Sequence, residues 1–229
     1  MDYIVQNKET YDKVAVEYNT KLRQPRHRLW TDAQWSEFFS QYVKKHHSVL
    51  ELGPGSGRIL NILASLCIDT TAVELSPEMA KHAKANSPGS KIIVDDIKNV
   101  NFAKELFDLI LSNESLHCFP TYDQNIVLSK FYDWTKRDGH IIVSTNLHDK
   151  HDESFSNKGN YKDTPSRFKT RFTLRSLESV LYKNGFKIKD QITESANGKS
   201  FTIAVCRKRN LNIPIIGLKG CTNESMLVR

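Results

Sequence analysis

The chain has 229 residues, of which 39% are hydrophobic, and a formal net charge of +7. That length suits one domain with a single filled core, and no apolar run approaches the roughly 18 residues a membrane-spanning helix needs. The opening Met1-Asp2-Tyr3-Ile4-Val5-Gln6 lacks the charged-then-apolar pattern of a secretion signal, so a cytoplasmic protein without membrane partners is expected.

Residues 1 to about 45 read as helices placed before the first strand. Thr31-Asp32-Ala33-Gln34 is a capping-box pattern, after which Trp35, Phe38, Phe39 and Tyr42 recur at helical spacing as a packing face. A basic cluster, Lys21, Arg23, Arg26, His27 and Arg28, precedes that helix.

The most informative stretch follows, Val49-Leu50-Glu51-Leu52-Gly53-Pro54-Gly55-Ser56-Gly57-Arg58. An apolar strand breaks into three alternating glycines and then becomes a helix with Ile59, Ile62, Leu63 and Leu66 on one face. Glycines let the backbone lie close to a ligand while amides of the next helix point outward. A dinucleotide loop of G-x-G-x-x-G/A type would need a small residue at position 58, where this chain has Arg58.

Beyond the loop, Thr70-Thr71-Ala72-Val73 is a strand ending in Glu74, a place from which a carboxylate can accept both hydroxyls of a ribose. Ser76-Pro77-Glu78 then opens a helix, with Ser76 as N-cap. Ile92-Ile93-Val94 is a third strand ending in Asp95-Asp96-Ile97, and Phe107 to Ser112 a fourth, running into Asn113-Glu114-Ser115-Leu116-His117.

Residues 122 to 136 form a helix pattern, and Asp138-Gly139 turns the chain into the strand His140 to Thr145. The polar stretch 147 to 171, with few apolar residues beyond Phe155, Tyr161 and Phe168, is expected to be an irregular lid beside the ligand crevice. Leu174, Leu177, Val180 and Leu181 mark a last helix closed by Gly185. Phe186–Ile188 and Phe201–Cys206 flank Ala196-Asn197-Gly198 as a hairpin. The tail, 210 to 229, matches no pattern.

The order of these four strand ends resembles the class I, Rossmann-like S-adenosylmethionine (SAM) dependent methyltransferases, over about residues 45 to 145. The resemblance implies an α/β fold: a doubly wound, seven-stranded, mostly parallel sheet ending in an antiparallel hairpin, helices on both faces, and an N-terminal helical cap. It implies one domain over 1–229, with the cap at 1–45, a core at 46–209 containing the lid at 147–171, and a tail at 210–229. SAM is the implied cofactor and S-adenosylhomocysteine (SAH) the product. Gly53, Gly55 and Gly57 would cradle its amino-acid part, with Glu51 near the cationic groups. Glu74 would meet the ribose, Asp96 and Ile97 the adenine, and Asn113 the reacting end, with Leu75 a further cofactor contact. The segment Tyr11–Asn19 resembles the family's lead-in helix, whose Tyr11 and Tyr18 would close over the cofactor.

Among side chains near the reacting end, His117 is the candidate general base; it could equally bind an anionic acceptor or pack as a neutral residue. Arg28, Tyr161, Arg167 and Arg171 are candidate substrate contacts. No metal is expected: Cys67, Cys118, Cys206 and Cys221 form no C-x-x-C pair. Charge is segregated, with 16 Lys+Arg against 7 Asp+Glu from Lys150 onward. That excess suits an anionic substrate or nucleic acid.

Three functions remain open: methyl transfer to an oxygen or nitrogen of a small molecule, the favoured reading; methylation of tRNA; and SAM binding without catalysis as a partner subunit. For the second, Arg26-His27-Arg28-Leu29-Trp30 and Arg171-Phe172-Thr173-Leu174 resemble the tRNA wobble-uridine carboxymethyl methyltransferases.

Overall fold

The computed structural model describes residues 2–22, 24, 30–67, 69–157, 159, 161–162, 165–196 and 199–209. Arg28 and the tail therefore lie outside the described residues. No helix among those described is long and apolar enough to cross a membrane.

Helix α1 (Tyr3–Leu22) buries Asn7, Thr10, Val14 and Ala15, a stripe at helical spacing. Helix α2 (Asp32–Ser40) starts where expected: the Thr31 side chain accepts from the Gln34 N–H and the Gln34 side chain reaches back, which closes the capping box. Strand β1 (Ser48–Leu52) feeds α3 (Arg58–Leu66); β2 (Asp69–Glu74) feeds α4 (Pro77–Asn86), capped by Ser76; β3 (Lys91–Val94) and β4 (Phe107–Asn113) follow. Then come α5 (Thr121–Trp134), β5 (Thr135–Leu147), β6 (Asp152–Asn157), β7 (Ser166–Arg171), α6 (Leu174–Lys183), β8 (Phe186–Ala196) and β9 (Lys199–Lys208).

The main sheet has the order β3-β2-β1-β4-β5-β9-β8, with β9 antiparallel to both neighbours and the remaining pairs parallel. This is the doubly wound arrangement the sequence implied. Strand order reverses between β1 and β4, and ligands bind outside the carboxyl ends of strands at such a point.

Alternation along β1 divides its side chains. Leu50 and Leu52 join the core formed with α5 and α6, including Val127, Phe131, Leu177 and Leu181. Val49 joins the core on the other face with Trp35, Phe39, Ile59 and Leu63. Burying each such side chain contributes roughly 1.5–3 kcal/mol. The same period of two sends Glu51 to the face covered by α2 and α3.

Two expectations need correction. Residues 147–171 are not irregular: β6 and β7 pair antiparallel into a small second sheet. Its polar sequence hid it because side chains of α1, rather than a large apolar surface, hold it in place. The Phe168 N–H donates to Asn7 Oδ1 at 2.8 Å, and Gln6 Nε2 donates to the Ser166 carbonyl at 3.0 Å. The second correction concerns Asp138-Gly139, which is no turn: β5 runs through it with a register shift against β4 between Phe107 and Leu109. A Cβ on Gly139 would sit 2.9 Å from the Asp108 carbonyl, so only glycine lets the irregular strand pack there. Gly185, at φ 87°, lies one residue past the cap Asn184 and ends α6 as expected.

Gly57 has φ 82°, and a Cβ there would lie 2.7 Å from Ala83 Cα, which is backbone of α4 and cannot yield cheaply. Gly57→Ala is expected to destabilise the protein by about 2 kcal/mol or more in urea unfolding, from overpacking and left-handed strain together. Gly89→Ala, where a Cβ would meet nothing within 4 Å, should change stability little.

Candidate cofactor site

The carboxyl ends of β1, β2 and β4 and the inner face of α1 enclose a cleft of about 770 Å³, counting its open mouth. The glycine loop forms its floor. Gly53 (φ 60°) and Gly55 (φ 55°) are left-handed, and both line the cleft. A Cβ at Gly53 would come within 2.7 Å of Ser115 Oγ, and one at Gly55 within 3.2 Å of the Tyr18 ring. Gly57 is not among the residues lining the cleft, and its bareness serves the contact between α3 and α4.

Glu74 holds this floor. One carboxylate oxygen accepts from the Gly55 N–H at 3.0 Å and the other from the Ser76 N–H at 2.9 Å. Glu74 is 7% exposed, and burial lifts its pKa to about 7 although these backbone N–H groups oppose the rise. Glu51 is only 1% exposed, and its Oε2 has no hydrogen-bond partner. Burial, then the charge of Glu74, pushes its pKa up to about 8. It lines a second cleft on the α2–α3 side, about 730 Å³, shared with Tyr18, Trp30, Trp35, Gly53 and Arg58.

At the other end lie Leu75, Asp96 and Ile97, all in the cleft wall. Asp96 accepts from the Lys98 N–H at 3.0 Å and lies 3.6 Å from Lys98 Nζ. That ammonium is itself bound to the buried Asp123 at 2.6 Å, and Tyr3 Oη donates to the same carboxylate. Asp95 caps the turn, accepting from the Asp96 and Asn99 nitrogens, as its neighbour's role left it free to do.

The reacting end is formed by Asn113, Glu114, Ser115 and Cys118. Asn113 Oδ1 accepts from Ser144 Oγ at 2.6 Å, and Ser115 Oγ donates to the Gly53 carbonyl at 3.1 Å. Tyr11 and Tyr18 of α1 both line the cleft. So do Tyr3 and Asn7, which the sequence reading passed over although they share the α1 face of Tyr11.

Two candidates, His117 and Arg171, lie outside the clefts. His117 is 2% exposed in a short turn (Leu116–Cys118), its Nδ1 3.5 Å from Thr145 Oγ1, and it lines neither cleft. The tight turn directs Cys118 into the cleft instead. Arg171 donates to Asp152 and Ser154, so it staples β7 to β6. Trp30 packs on Trp35 and Phe38, so the only described part of the Arg26–Trp30 segment is core. Tyr161 stacks on Tyr18 at 6.2 Å, and Arg167 donates to Tyr11 Oη at 2.6 Å; both hold the tyrosines that roof the cleft.

Residues 50–143, the span from the glycine-loop strand through β5, match the profile of a family described as "Methyltransferase domain". Over these residues the chain is similar to that family, which agrees with the resemblance to the class I SAM-dependent methyltransferases read from the sequence. The domain's fold is similar to several solved structures. The DhpI–SAH complex aligns with a TM-score of 0.71 at 16% identity, over 91% of this chain and 98% of that one. An S-adenosylmethionine-dependent methyltransferase from Clostridium acetobutylicum gives 0.65 at 18% identity, over 87% and 99%. A 1,6-didemethyltoxoflavin-N1-methyltransferase from Burkholderia thailandensis, with 1,6-didemethyltoxoflavin and S-adenosylhomocysteine bound, gives 0.65 at 18%, over 89% and 91%. No curated protein matches.

The protein should show the cost of its unpaired acid. Glu51 keeps its proton in the folded chain after the unfolded chain, with an ordinary value of 4.5, has released it. Its stabilising share is therefore full below about pH 4.5 and is lost as pH rises to about 8. Between those limits the Tm of the ligand-free protein should fall with pH, and Glu51→Gln should flatten the fall.

Proposed function

We propose that this methyltransferase moves the methyl group of SAM to an oxygen or nitrogen of a small-molecule acceptor. The observation that carries the reading is the pairing of two buried acids, one of them without a partner, beneath a left-handed glycine loop. A phosphate-bearing cofactor would be repelled by those acids; a sulfonium carrying an ammonium group would repay their burial.

In this reading Glu51 and the Gly53–Gly55 backbone hold the amino-acid part. Glu74, already tied to the loop through Gly55, accepts the ribose hydroxyls. Asp96 takes the adenine amine, with Leu75 and Ile97 packed on the ring, and Lys98 fixes the Asp96 carboxylate. Asn113 marks the reacting end, and Tyr11 and Tyr18 close over it. When bound, SAM supplies an activated methyl group, so the chain needs to position the acceptor at about 3–3.5 Å and exclude water. Such positioning is worth up to roughly 7–11 kcal/mol. The roof of α1 and the β6–β7 sheet suits that exclusion, and the relative from Burkholderia thailandensis is named for a small heterocyclic acceptor.

Titration calorimetry with SAH tests the cofactor assignment. Glu74→Gln should weaken binding by about tenfold or more, since hydrogen bonds to a charged group contribute about 1.5–3 kcal/mol. Unchanged affinity would remove Glu74 from the ribose.

A further inference from the structure

The small sheet leaves positive charge unpaired beside the reacting end. Along β7 the side chains of Arg167, Lys169 and Arg171 share one face, opposite Ser156, Ser154 and Asp152 of β6. Only the last rung contains an acid, and Arg171 is bound to it. Arg167 donates to the neutral Tyr11 hydroxyl, and the Lys169 side chain has no hydrogen bond or ion pair among the described residues. His148, which follows β5, has a buried Nε2 without a partner and lies within the fields of Lys169 and Arg171.

This arrangement costs energy as it stands. Burial, then the charge of Arg167, lowers the pKa of Lys169, and burial lowers that of His148. An anion on this face would offset both penalties. The face adjoins the cleft directly: Arg167 holds Tyr11, whose hydroxyl is 3.7 Å from Cys118 Sγ, and both Tyr11 and Cys118 line the cleft. Lys169 also lies within the electrostatic reach of Glu114 and Cys118.

A second observation concerns protons. Among the described residues lining the cleft there is no histidine or lysine, and His117 is turned toward Thr145. Burial drives the Tyr11 hydroxyl well above its ordinary value, which removes it as a base. A hydroxyl or ammonium acceptor would have to pass its proton to a carboxylate such as Glu114 at the reacting end. A carboxylate needs none.

We propose that the acceptor is a carboxylate, seated against Lys169, Arg167 and His148, and that the product is its methyl ester. This deepens the methyltransferase reading and rests on it. A carboxylate oxygen uses a lone pair to form the new O–C bond as the S–C bond breaks, with that bond's electron pair passing to sulfur. One negative and one positive charge vanish together, and no proton moves. The carboxylate can belong to a free small molecule or to a modified RNA base; the chemistry is shared.

The full-length protein, methyl-tritiated SAM, and the small-molecule and RNA fractions of a cell extract provide the test. Most of the label should leave as volatile methanol in mild alkali, and the fraction that carries it identifies the source of the carboxylate. Label that survives alkali in both fractions would overturn the carboxylate assignment while leaving methyl transfer intact; loss of SAH binding would instead overturn the methyltransferase reading. Lys169→Met should label dilute extract about tenfold more slowly, recover at saturating extract and bind SAH as before, whereas Lys169→Arg should retain most activity. A Lys169→Met protein that labels dilute extract at the normal rate, or whose SAH affinity falls as far as its activity, would also overturn the proposal.

Discussion

The site depends on one buried carboxylate. Glu74 stands at the end of β2, and its two oxygens clamp the N–H groups of Gly55 and Ser76. The first clamp shapes the glycine loop and the second opens α4, so the same side chain fixes both the floor of the cleft and the helix beside it. Above about pH 7, where Glu74 is charged, any second acid nearby is driven toward its neutral form. Glu51 is that acid, sent by strand alternation to the far side of the loop, and its Oε2 has no hydrogen-bond partner among the described residues. A cationic ligand resolves the conflict, which is why the cleft is an electrostatic site before it is a shape.

The roof is attached by polar contacts together with a small apolar cluster of Val14, Ala15, Met79 and Tyr161 and the packing of Tyr3 on Phe168. Asn7 pairs with both backbone groups of Phe168, and Gln6 reaches Ser166. Tyr18 stacks on Tyr161 and Tyr11 receives Arg167. Contacts of this kind are individually modest, about 0.5–1.5 kcal/mol each, so a roof held by them can lift without unfolding the core. A reaction that must admit two compounds and expel water uses such a boundary.

Much of this was legible in the amino-acid sequence where a local rule had no competitor. Ser76 followed by Pro77, the Thr31–Gln34 capping box, and the glycines after Leu52 each encode geometry within a few residues. The small sheet was not legible because the side chains that anchor β7, Asn7, Gln6 and Thr10, lie about 160 residues away, and no period in β7 announces them. His117 stands next to the strand end as the sequence implies, and the three-residue turn that directs Cys118 toward the cleft is set by contacts the sequence does not display. Gly57 is the third glycine of the motif, and the packing it serves is visible only once α4 lies against it.

The central claim is that two crowded acids form a slot for a cation. Between about pH 7, where Glu74 loses its proton, and about pH 8, Glu51 still holds its own in the free protein. A sulfonium and an ammonium beside it would drive that proton off. Calorimetry of SAM binding in buffers of different ionisation enthalpy measures the exchange directly. The account predicts net proton release that approaches one per ligand and is largely abolished by Glu51→Gln; binding without release, or no binding at all, would contradict it.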